Sequence, residues 1–292
     1  MMIKHWLLAF RFKTLTAAVV PIMVGTTLTM LLGCPIENWI TACALLASLF
    51  IQIGTNLIND AMDFKKGADT SERMGPTRIT QSGKANFKSV LLLACFFFLL
   101  ALAFGIPLAI KGGTPIVIIG LSSLLCGFAY TGGPFPLAYH GLGDLFVIIF
   151  FGIIAVSGIT FLHSNEWRTE AFIAGLQIGA LATILIAINN FRDVAGDKLV
   201  NKNTLAVRFG PKFIRSEIVG LMTLAFFLNF YWWTEGYKLA AILPLLSLPL
   251  AFIILKNILT LEPSAQYNQF LAQSAFLHLL FGGLLSLGFA LV

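Results

Sequence analysis

The feature that most constrains this chain is its succession of apolar runs of about 17 to 23 residues, the length with which a helix crosses roughly 30 Å of hydrocarbon. Hydrophobic residues make up 58% of the chain and charged residues 11%, and the mean hydropathy is +0.89. These values lie far from the averages of soluble domains. The chain is therefore predicted to be an all-α integral membrane protein, with a single membrane domain over residues 1–292.

Nine transmembrane helices are predicted, arranged around a central cavity that opens to the cytoplasmic side. Their spans run from Thr14 to Leu32, Trp39 to Ile58, Val90 to Ile110, Thr114 to Tyr130, Leu142 to Leu162, Ala171 to Asn190, Ile218 to Trp233, Leu239 to Leu255 and Phe270 to Val292.

The distribution of lysine and arginine predicts the orientation, because short loops rich in these residues stay in the cytoplasm. Sixteen of the nineteen fall in the N-terminal segment, in two long loops at 59–89 and 191–217, and between the last two spans; only Lys111, Arg168 and Lys238 fall elsewhere. The N-terminus is predicted inside and the C-terminus outside, in a cell (inner or cytoplasmic) membrane. The net charge of +6 then follows from topology, and no nucleic-acid partner is predicted.

Two predicted spans end in similar sets of amides and acids, directly before the two long loops. The first set comprises Asn56, Asn59, Asp60 and Asp63, and the second comprises Asn189, Asp193 and Asp197. The spacings of three and four residues place each set on one face of a helix that continues past its span. Pairing with neighbouring lysines at solvated helix ends is the simpler explanation. However, the helix dipole disfavours acids at a C-terminus, and a carboxylate near the bilayer costs up to about 3 kcal/mol, which indicates a bound cation.

Oxygen ligands without cysteine or histidine nearby favour Mg²⁺, which proteins commonly hold through one or two carboxylates together with substrate phosphates. Acids interspersed with basic residues therefore predict a diphosphate site, and the two long loops are predicted to cap it. No GxxxxGK[ST] loop is present, so a nucleoside triphosphate is not indicated. In a membrane-embedded cavity, the diphosphate is expected to carry a lipid tail.

The stretches NDAMDFKKGAD (59–69) and DVAGD (193–197) resemble the two aspartate motifs of the UbiA family of intramembrane prenyltransferases. The general pattern NDxxDxxxD would place its last acid at Gly67, whereas this chain has Asp69 two residues later. That displacement resembles the 1,4-dihydroxy-2-naphthoate polyprenyltransferase branch, from which the chain departs at Phe12, Thr16 and Asp144. Other stretches similar to that branch are RFKTL (11–15), RMGPTR (73–78), YTGGPFPLAYHGLGDLF (130–146), NNFRD (189–193) and NTLAVRFG (203–210).

The resemblance implies nine helices and Mg²⁺-dependent transfer of a polyprenyl group from polyprenyl diphosphate to 1,4-dihydroxy-2-naphthoate. The product would be demethylmenaquinone, formed with decarboxylation in menaquinone biosynthesis. The predicted catalytic acids are Asp60, Asp63, Asp193 and Asp197, which are also metal ligands with Asn59 and Asp69. The predicted diphosphate-binding residues are Asn56, Lys65, Arg73, Arg78, Asn189, Lys198 and Lys202. The residues expected around the acceptor or the carbocation are Arg11, Lys13, Tyr130 and Asp144.

Several alternatives remain open at this stage. Tyr130 also suits a tyrosine of the membrane interface, and Asp144 also suits a helix start, where the dipole favours acids. The acceptor could instead be 4-hydroxybenzoate, homogentisate or haem. A protein of another class, a membrane carrier, would use the aspartates for ion coupling. The sequence does not predict an oligomeric state.

Overall fold

A computed structural model describes residues 6, 9–69 and 74–292, and all regular secondary structure in these residues is helical. Eight helices are long and apolar enough to cross a membrane. They are α1 (Phe12–Leu31), α2 (Asn38–Lys65), α3 (Phe87–Ala129), α4 (Gly143–Ser164), α5 (Thr169–Arg192), α7 (Leu205–Thr234), α8 (Lys238–Thr260) and α9 (Tyr267–Ala290), and α6 is the short helix Val194–Leu199. The predicted all-helical membrane fold is confirmed.

Helix α3 covers both the third and the fourth predicted span, which is why eight helices are found where nine spans were predicted. Its 43 residues would extend about 65 Å if straight, roughly twice the thickness of the hydrocarbon core. The helix breaks at Gly113, which has a left-handed φ of 65°. Residues 87–112 (α3a) and 114–129 (α3b) lie on either side of this break. The nine-span topology and the orientation remain predictions.

Helix α5 lies at the centre of the bundle, with 78% of its span buried. Glycines allow α4 to approach it closely: Gly152, in a π-helical turn of α4, lies against Gly175 and Gly179 of α5. Small residues at four-residue spacing are typical of such contacts between membrane helices. On its other sides α5 packs against α1, α7 and α9 in the largest hydrophobic cluster. This core fixes the ends of α5 relative to those of its neighbours.

The two acid sets end their helices differently. Helix α2 continues seven residues beyond the predicted span end Ile58, so Asp60 and Asp63 are helical, as expected. Helix α5 ends at Arg192, and Asp197 belongs to α6. The prediction that the second set lies on one continuous helix is therefore wrong, because the chain leaves the α-conformation at Asp193, where ψ is 4°.

An apolar cavity of about 390 Å³ lies among α1, α2, α3 and α4. At one end it reaches Thr55 near the end of α2 and Tyr130 just after α3. At the other end it reaches Ala44 of α2 and Leu162 of α4. The cavity therefore extends along the helices from the end that carries the aspartates.

Candidate active site

Asp60 fastens the loop after α2 to the end of that helix. Its side chain is 1% exposed, and its two oxygens accept hydrogen bonds from the backbone N–H groups of Ile79 (3.1 Å) and Thr80 (3.0 Å). A carboxylate has about four lone-pair positions, so these two bonds leave room for a further ligand. Asp60 therefore positions the loop over the site, and its metal-binding role remains a prediction.

Arg78 lies between two acids of the first motif. Its guanidinium is 3.8 Å from Oδ2 of Asp63 and 3.3 Å from Oδ2 of Asp69, and all three side chains are buried. The displaced acid Asp69 is thus brought to the same cation as Asp63. The loop held by Asp60 carries Arg78 into this position, and the diphosphate-binding role of Arg78 remains a prediction.

Tyr139 connects Asp63 to the second motif. Its hydroxyl donates a 3.0 Å hydrogen bond to Oδ1 of Asp63, and its ring lies 4.2 Å from Nζ of Lys66 and 5.7 Å from Nζ of Lys202. Burial, followed by the charge of Asp63, raises the pKa of Tyr139, so the hydroxyl stays protonated. The backbone oxygen of Tyr139 also accepts from N–H of Asn203, which joins the segment after α3 to the segment after α6.

Asp197 is the buried acid of the second motif. Its Oδ1 lies 3.4 Å from Nζ of Lys202, whereas its Oδ2 is buried without a hydrogen-bond partner in the described part of the chain. Burial raises the pKa of Asp197 to about 6, although the charge of Lys202 opposes this shift. A carboxylate oxygen in this environment can accept a cation at neutral pH.

Asp193 is bound by its neighbour Arg192, which is 1% exposed. The guanidinium donates to both oxygens of Asp193 (2.8 and 2.6 Å), to Oδ1 of Asn189 (2.9 Å) and to Oδ1 of Asn268 at the start of α9 (2.7 Å). Asn268 in turn donates to the backbone oxygen of Met74 in the loop after α2. Arg192 thus ties the end of α5 to α9 and, through Asn268, to the loop that carries Arg78.

The amides of the first motif brace neighbouring segments. Asn59 accepts a 2.7 Å hydrogen bond from Oγ1 of Thr131, beyond the end of α3. The amide nitrogen of Asn56 donates to the backbone oxygen of Phe10 and to Oγ1 of Thr14, each at 3.1 Å. The predicted contacts of these amides with a metal or a diphosphate remain predictions.

Three predicted basic residues are exposed, and a fourth lies outside the described residues. Lys65 is directed toward the ring of Phe87, 5.8 Å away, and Lys13 and Lys198 lie on the surface. Arg73 falls in the part of the chain that the structure does not describe.

Tyr130 lines one end of the cavity, and Asp144 directly follows Gly143, the residue beside the Tyr130 hydroxyl. A Cβ atom at Gly143 would lie 2.8 Å from the hydroxyl of Tyr130, so the phenol packs directly beside the start of α4. Asp144 is 3% exposed, and its Oδ1 has no hydrogen-bond partner among the described residues. Tyr130 lies within electrostatic reach of Asp144, Asp63, Asp197 and Arg11. The structure therefore brings the predicted acceptor residues to the same end of the bundle as both acid sets.

Within the described residues, no group of three or more Asp, Glu, His or Cys side chains could hold a metal ion as it stands. The acids are paired with basic side chains instead: Arg78 pairs with Asp63, Lys202 with Asp197, and Arg192 with Asp193. The site still fits Mg²⁺, because its ligand atoms are oxygens and Oδ2 of Asp197 has no hydrogen bond.

Four residues of the site were not among the predicted site residues: Tyr139, Lys66, Thr131 and Arg192. Tyr139 lies in a short 3-10 turn (Leu137–His140) that periodicity does not detect. Lys66 donates to the backbone oxygen of Thr131 at 2.7 Å, and burial lowers its pKa. Arg192 lies within the stretch NNFRD (189–193), and its place directly before Asp193 was a usable signal.

Known proteins match both the sequence and the fold. The UbiA prenyltransferase family matches residues 18–280. The 1,4-dihydroxy-2-naphthoate octaprenyltransferase of Haemophilus influenzae is 31% identical over 300 residues, covering 98% of this chain and 96% of that protein. A protein of the same name from Escherichia coli is 34% identical over 213 residues, covering 71% and 69%. A UbiA homolog from Archaeoglobus fulgidus, bound to GPP and Mg²⁺, shares the fold with a TM-score of 0.71 at 18% identity, covering 99% of this chain and all of that one. The chain belongs to the UbiA prenyltransferase family.

Proposed function

We propose that this protein transfers a polyprenyl group from polyprenyl diphosphate to 1,4-dihydroxy-2-naphthoate, with decarboxylation and dependence on Mg²⁺, at the cytoplasmic face of the cell membrane. The observation that carries this proposal is the convergence of both acid sets on Tyr139 beside an apolar cavity. Asp63 accepts from the hydroxyl of Tyr139, and Lys202, paired with Asp197, lies over its ring. The names of the relatives from Haemophilus influenzae and Escherichia coli support the naphthoate acceptor.

The donor diphosphate would bind at the basic side chains that pair with the carboxylates of the two motifs. Arg78 is a buried cation at the first motif, Lys202 is a partly buried cation at the second, and Lys66 adds a further positive charge beside Tyr139. The metal would be held by Asp63 and Asp197, with Asp60, Asp69, Asp193 and Asn59 completing the proposed ligand set. Bound Mg²⁺ supplies positive charge to the leaving diphosphate. The fold neighbour that binds GPP and Mg²⁺ supports this choice of cofactor.

The reaction requires the allylic carbocation of the donor to form in a site that is shielded from water. The allylic C–O bond breaks with its electron pair leaving on the diphosphate, and a ring carbon of the acceptor then forms the new C–C bond. When the new bond forms at the ring carbon that bears the carboxylate, the bond from that carbon to the carboxylate breaks, its electron pair returns to the ring, and carbon dioxide leaves. The apolar cavity would hold the donor's tail, and the aromatic rings of Tyr130 and Phe146 line it near the site. Arg11, Lys13 and Asp144 are proposed to position the acceptor, the first two by attracting its carboxylate.

The direct test is a mass-spectrometric assay of the purified protein in detergent with Mg²⁺ and geranyl diphosphate. Naphthoate, 4-hydroxybenzoate and homogentisate acceptors compete in one mixture. We expect a prenylated, decarboxylated naphthol that disappears with EDTA and in Asp63→Ala and Asp197→Ala. Glu166→Gln is the matched control, because this acid is exposed at the opposite end of the bundle.

The outcomes separate the parts of the proposal. Prenylation of a different acceptor would overturn the choice of naphthoate and leave prenyl transfer intact. Full activity of Asp63→Ala and Asp197→Ala would overturn the assignment of the site. Folded protein that binds the diphosphate and prenylates no acceptor would favour the carrier alternative.

A further inference from the structure

Asn268, in the first turn of α9, makes hydrogen bonds to two parts of the site that are far apart in the chain. Its Oδ1 accepts a 2.7 Å hydrogen bond from Nη1 of Arg192, and its Nδ2 donates a 2.8 Å hydrogen bond to the backbone oxygen of Met74. Met74 lies 194 residues away in the sequence, in the loop after α2. Asn268 is therefore a direct link between the end of α5 and the loop that carries Arg78.

The orientation of this amide follows from the chemistry of its partners. A guanidinium only donates hydrogen bonds and a backbone carbonyl only accepts them, so the amide oxygen must face Arg192 and the amide nitrogen must face Met74. Ionised aspartate has the same shape but no N–H group to donate, and alanine has neither a donor nor an acceptor. The double contact at position 268 therefore requires a donor and an acceptor in one short side chain.

The start of α9 is held against the end of α5. The fully buried ring of Tyr267 packs edge-on against the ring of Phe191, with the ring centroids 5.5 Å apart. The hydroxyl of Tyr267 donates a 2.8 Å hydrogen bond to the backbone oxygen of Leu261. A second hydrogen bond from Nδ2 of Asn268, to the backbone oxygen of Ala265, fixes the amide on the α9 side. Asn268 thus reaches the loop from a well-packed part of the bundle.

Arg78 lies between two anchors of the loop after α2. Before it, the backbone of Met74 is held by Asn268, and after it, the backbone N–H groups of the next two residues are held by Asp60. Residues 76 and 77, between Met74 and Arg78, are exposed, so packing contributes little to holding this segment. Loss of the Met74 contact would therefore loosen the approach to Arg78 while Asp60 still holds the residues that follow it.

We infer that Asn268 is a positioning residue for the donor diphosphate and that it acts through Arg78 without touching the substrate. Its contact with Met74 holds Arg78 beside the acids of the first motif. Its contact with Arg192 joins the same amide to the guanidinium that holds Asp193 of the second motif. A side chain that belongs to neither motif thereby sets the position of one relative to the other. This inference rests on the proposed function, in which Arg78 binds the donor diphosphate.

The test compares two substitutions that separate the two contacts. Asn268→Asp keeps an oxygen for Arg192 and loses the donor to Met74, whereas Asn268→Ala loses both. In both variants we expect KM for geranyl diphosphate to rise by about tenfold and KM for the naphthoate acceptor to stay within about twofold of the unmodified protein. Gln269→Glu is the matched control, because it makes the same amide-to-acid change at an exposed position one residue later in α9.

A double-mutant cycle with Arg78 distinguishes positioning from general support of the fold. In an Arg78→Gln background, Asn268→Asp is expected to change kcat/KM for geranyl diphosphate by less than about twofold, because the side chain that it positions is already absent. Losses that multiply in the double variant would overturn the inference, since they would show that Asn268 acts independently of Arg78. An unchanged KM for the donor in both single variants of Asn268 would overturn it as well.

Donor binding gives a second answer without turnover. The shift in thermal unfolding midpoint on adding geranyl diphosphate with Mg²⁺ is expected to shrink in Asn268→Asp and to stay unchanged in Gln269→Glu. Equal shifts in Asn268→Asp and the unmodified protein would contradict the inference. If the unmodified protein binds the donor and prenylates no acceptor, the proposed function fails, and the same double-mutant cycle measured on binding still decides the role of Asn268.

Discussion

Tyr139 links the two halves of the site, because its hydroxyl and its ring act on different motifs. The hydroxyl donates to buried Asp63, and the ring lies near the ammonium groups of Lys66 and Lys202. Replacing tyrosine with phenylalanine removes the first interaction and keeps the second. This makes the hydrogen bond separately measurable.

For Tyr139→Phe we expect kcat/KM to fall by roughly 10- to 150-fold, since a hydrogen bond to a charged group contributes roughly 1.5 to 3 kcal/mol. Steady-state kinetics with geranyl diphosphate measures the change. Tyr231→Phe, on α7 outside the site, is the control and should keep full activity. An unchanged kcat/KM in Tyr139→Phe would mean that the Asp63 contact has no part in catalysis.

The pKa of about 6 at Asp197 predicts a pH-dependent requirement for metal. Above pH 6 the carboxylate is ionised and ready to bind Mg²⁺, whereas below pH 6 the metal must displace a proton. The Mg²⁺ concentration for half-maximal activity is therefore expected to rise by up to about tenfold per pH unit below about pH 6. Metal titrations between pH 5 and 7.5 measure this. Residual Mg²⁺ dependence in Asp197→Asn should lack this rise, and a flat profile in the unmodified protein would contradict the assignment.

How much of the site could be predicted depends on where each residue lies relative to a helix. The acids of α2 were predictable because helical periodicity continues through Asp60 and Asp63 to Lys65. Tyr139 was not, because it reaches Asp63 from a segment 76 residues away in the chain. The pairing of Arg78 with two acids likewise depends on a loop conformation held by Asp60, which no local pattern encodes.

At the scale of elements, the contact between α4 and α5 depends on glycine. A Cβ atom at Gly179 would lie 2.7 Å from the backbone oxygen of Ile148 and 3.1 Å from Cα of Gly152. The π-helical turn at Ile149–Ile154 is the part of α4 that meets α5. Hydropathy identified both spans but not this contact, because it measures how apolar a residue is and not how closely two backbones approach.

For Gly179→Val we expect the free energy of unfolding to fall by about 1 to 3 kcal/mol, because the added atoms force α4 and α5 apart. Thermal unfolding in detergent, followed by near-ultraviolet circular dichroism, measures the shift. Gly220→Val is the matched control, since a Cβ atom there meets nothing within 4 Å. Equal stability of the two variants would show that the close approach is not needed.

At the scale of the whole molecule, α3 decides how many times the chain crosses the membrane. Its break at Gly113 lies beside Lys111, one of three basic residues predicted on the outer side. If α3a and α3b each cross the membrane, residue 111 lies on the other side of the membrane from residue 84. If α3 crosses the membrane only once, it does not. Hydropathy predicts nine crossings, which remain a prediction, and it did not predict the direct join through Gly113 without an intervening loop.

We expect a cysteine at residue 111 to react with a membrane-impermeant maleimide in intact cells, and a cysteine at residue 84 to react only after permeabilisation. Both positions are exposed lysines, so reactivity reports the side of the membrane. The variants Lys111→Cys and Lys84→Cys are made in a background whose four natural cysteines are serine. Labelling of both positions from the same side would contradict the nine-span topology.

The ion pairs of the site bear on how the protein distinguishes among diphosphates. Arg78, Lys202 and Arg192 already have carboxylate partners. On the proposed function, binding a diphosphate with its metal would exchange these ion pairs for others, and the net electrostatic gain would be small. A prenyl tail adds what soluble anions lack, since each buried CH₂ favours the bilayer by about 0.8 kcal/mol and concentrates the donor there. Inorganic diphosphate is therefore expected to compete weakly with octaprenyl diphosphate, as inhibition assays in vesicles can measure. If the site faces the cytoplasm as predicted, the protein would then work among soluble phosphates without being occupied by them.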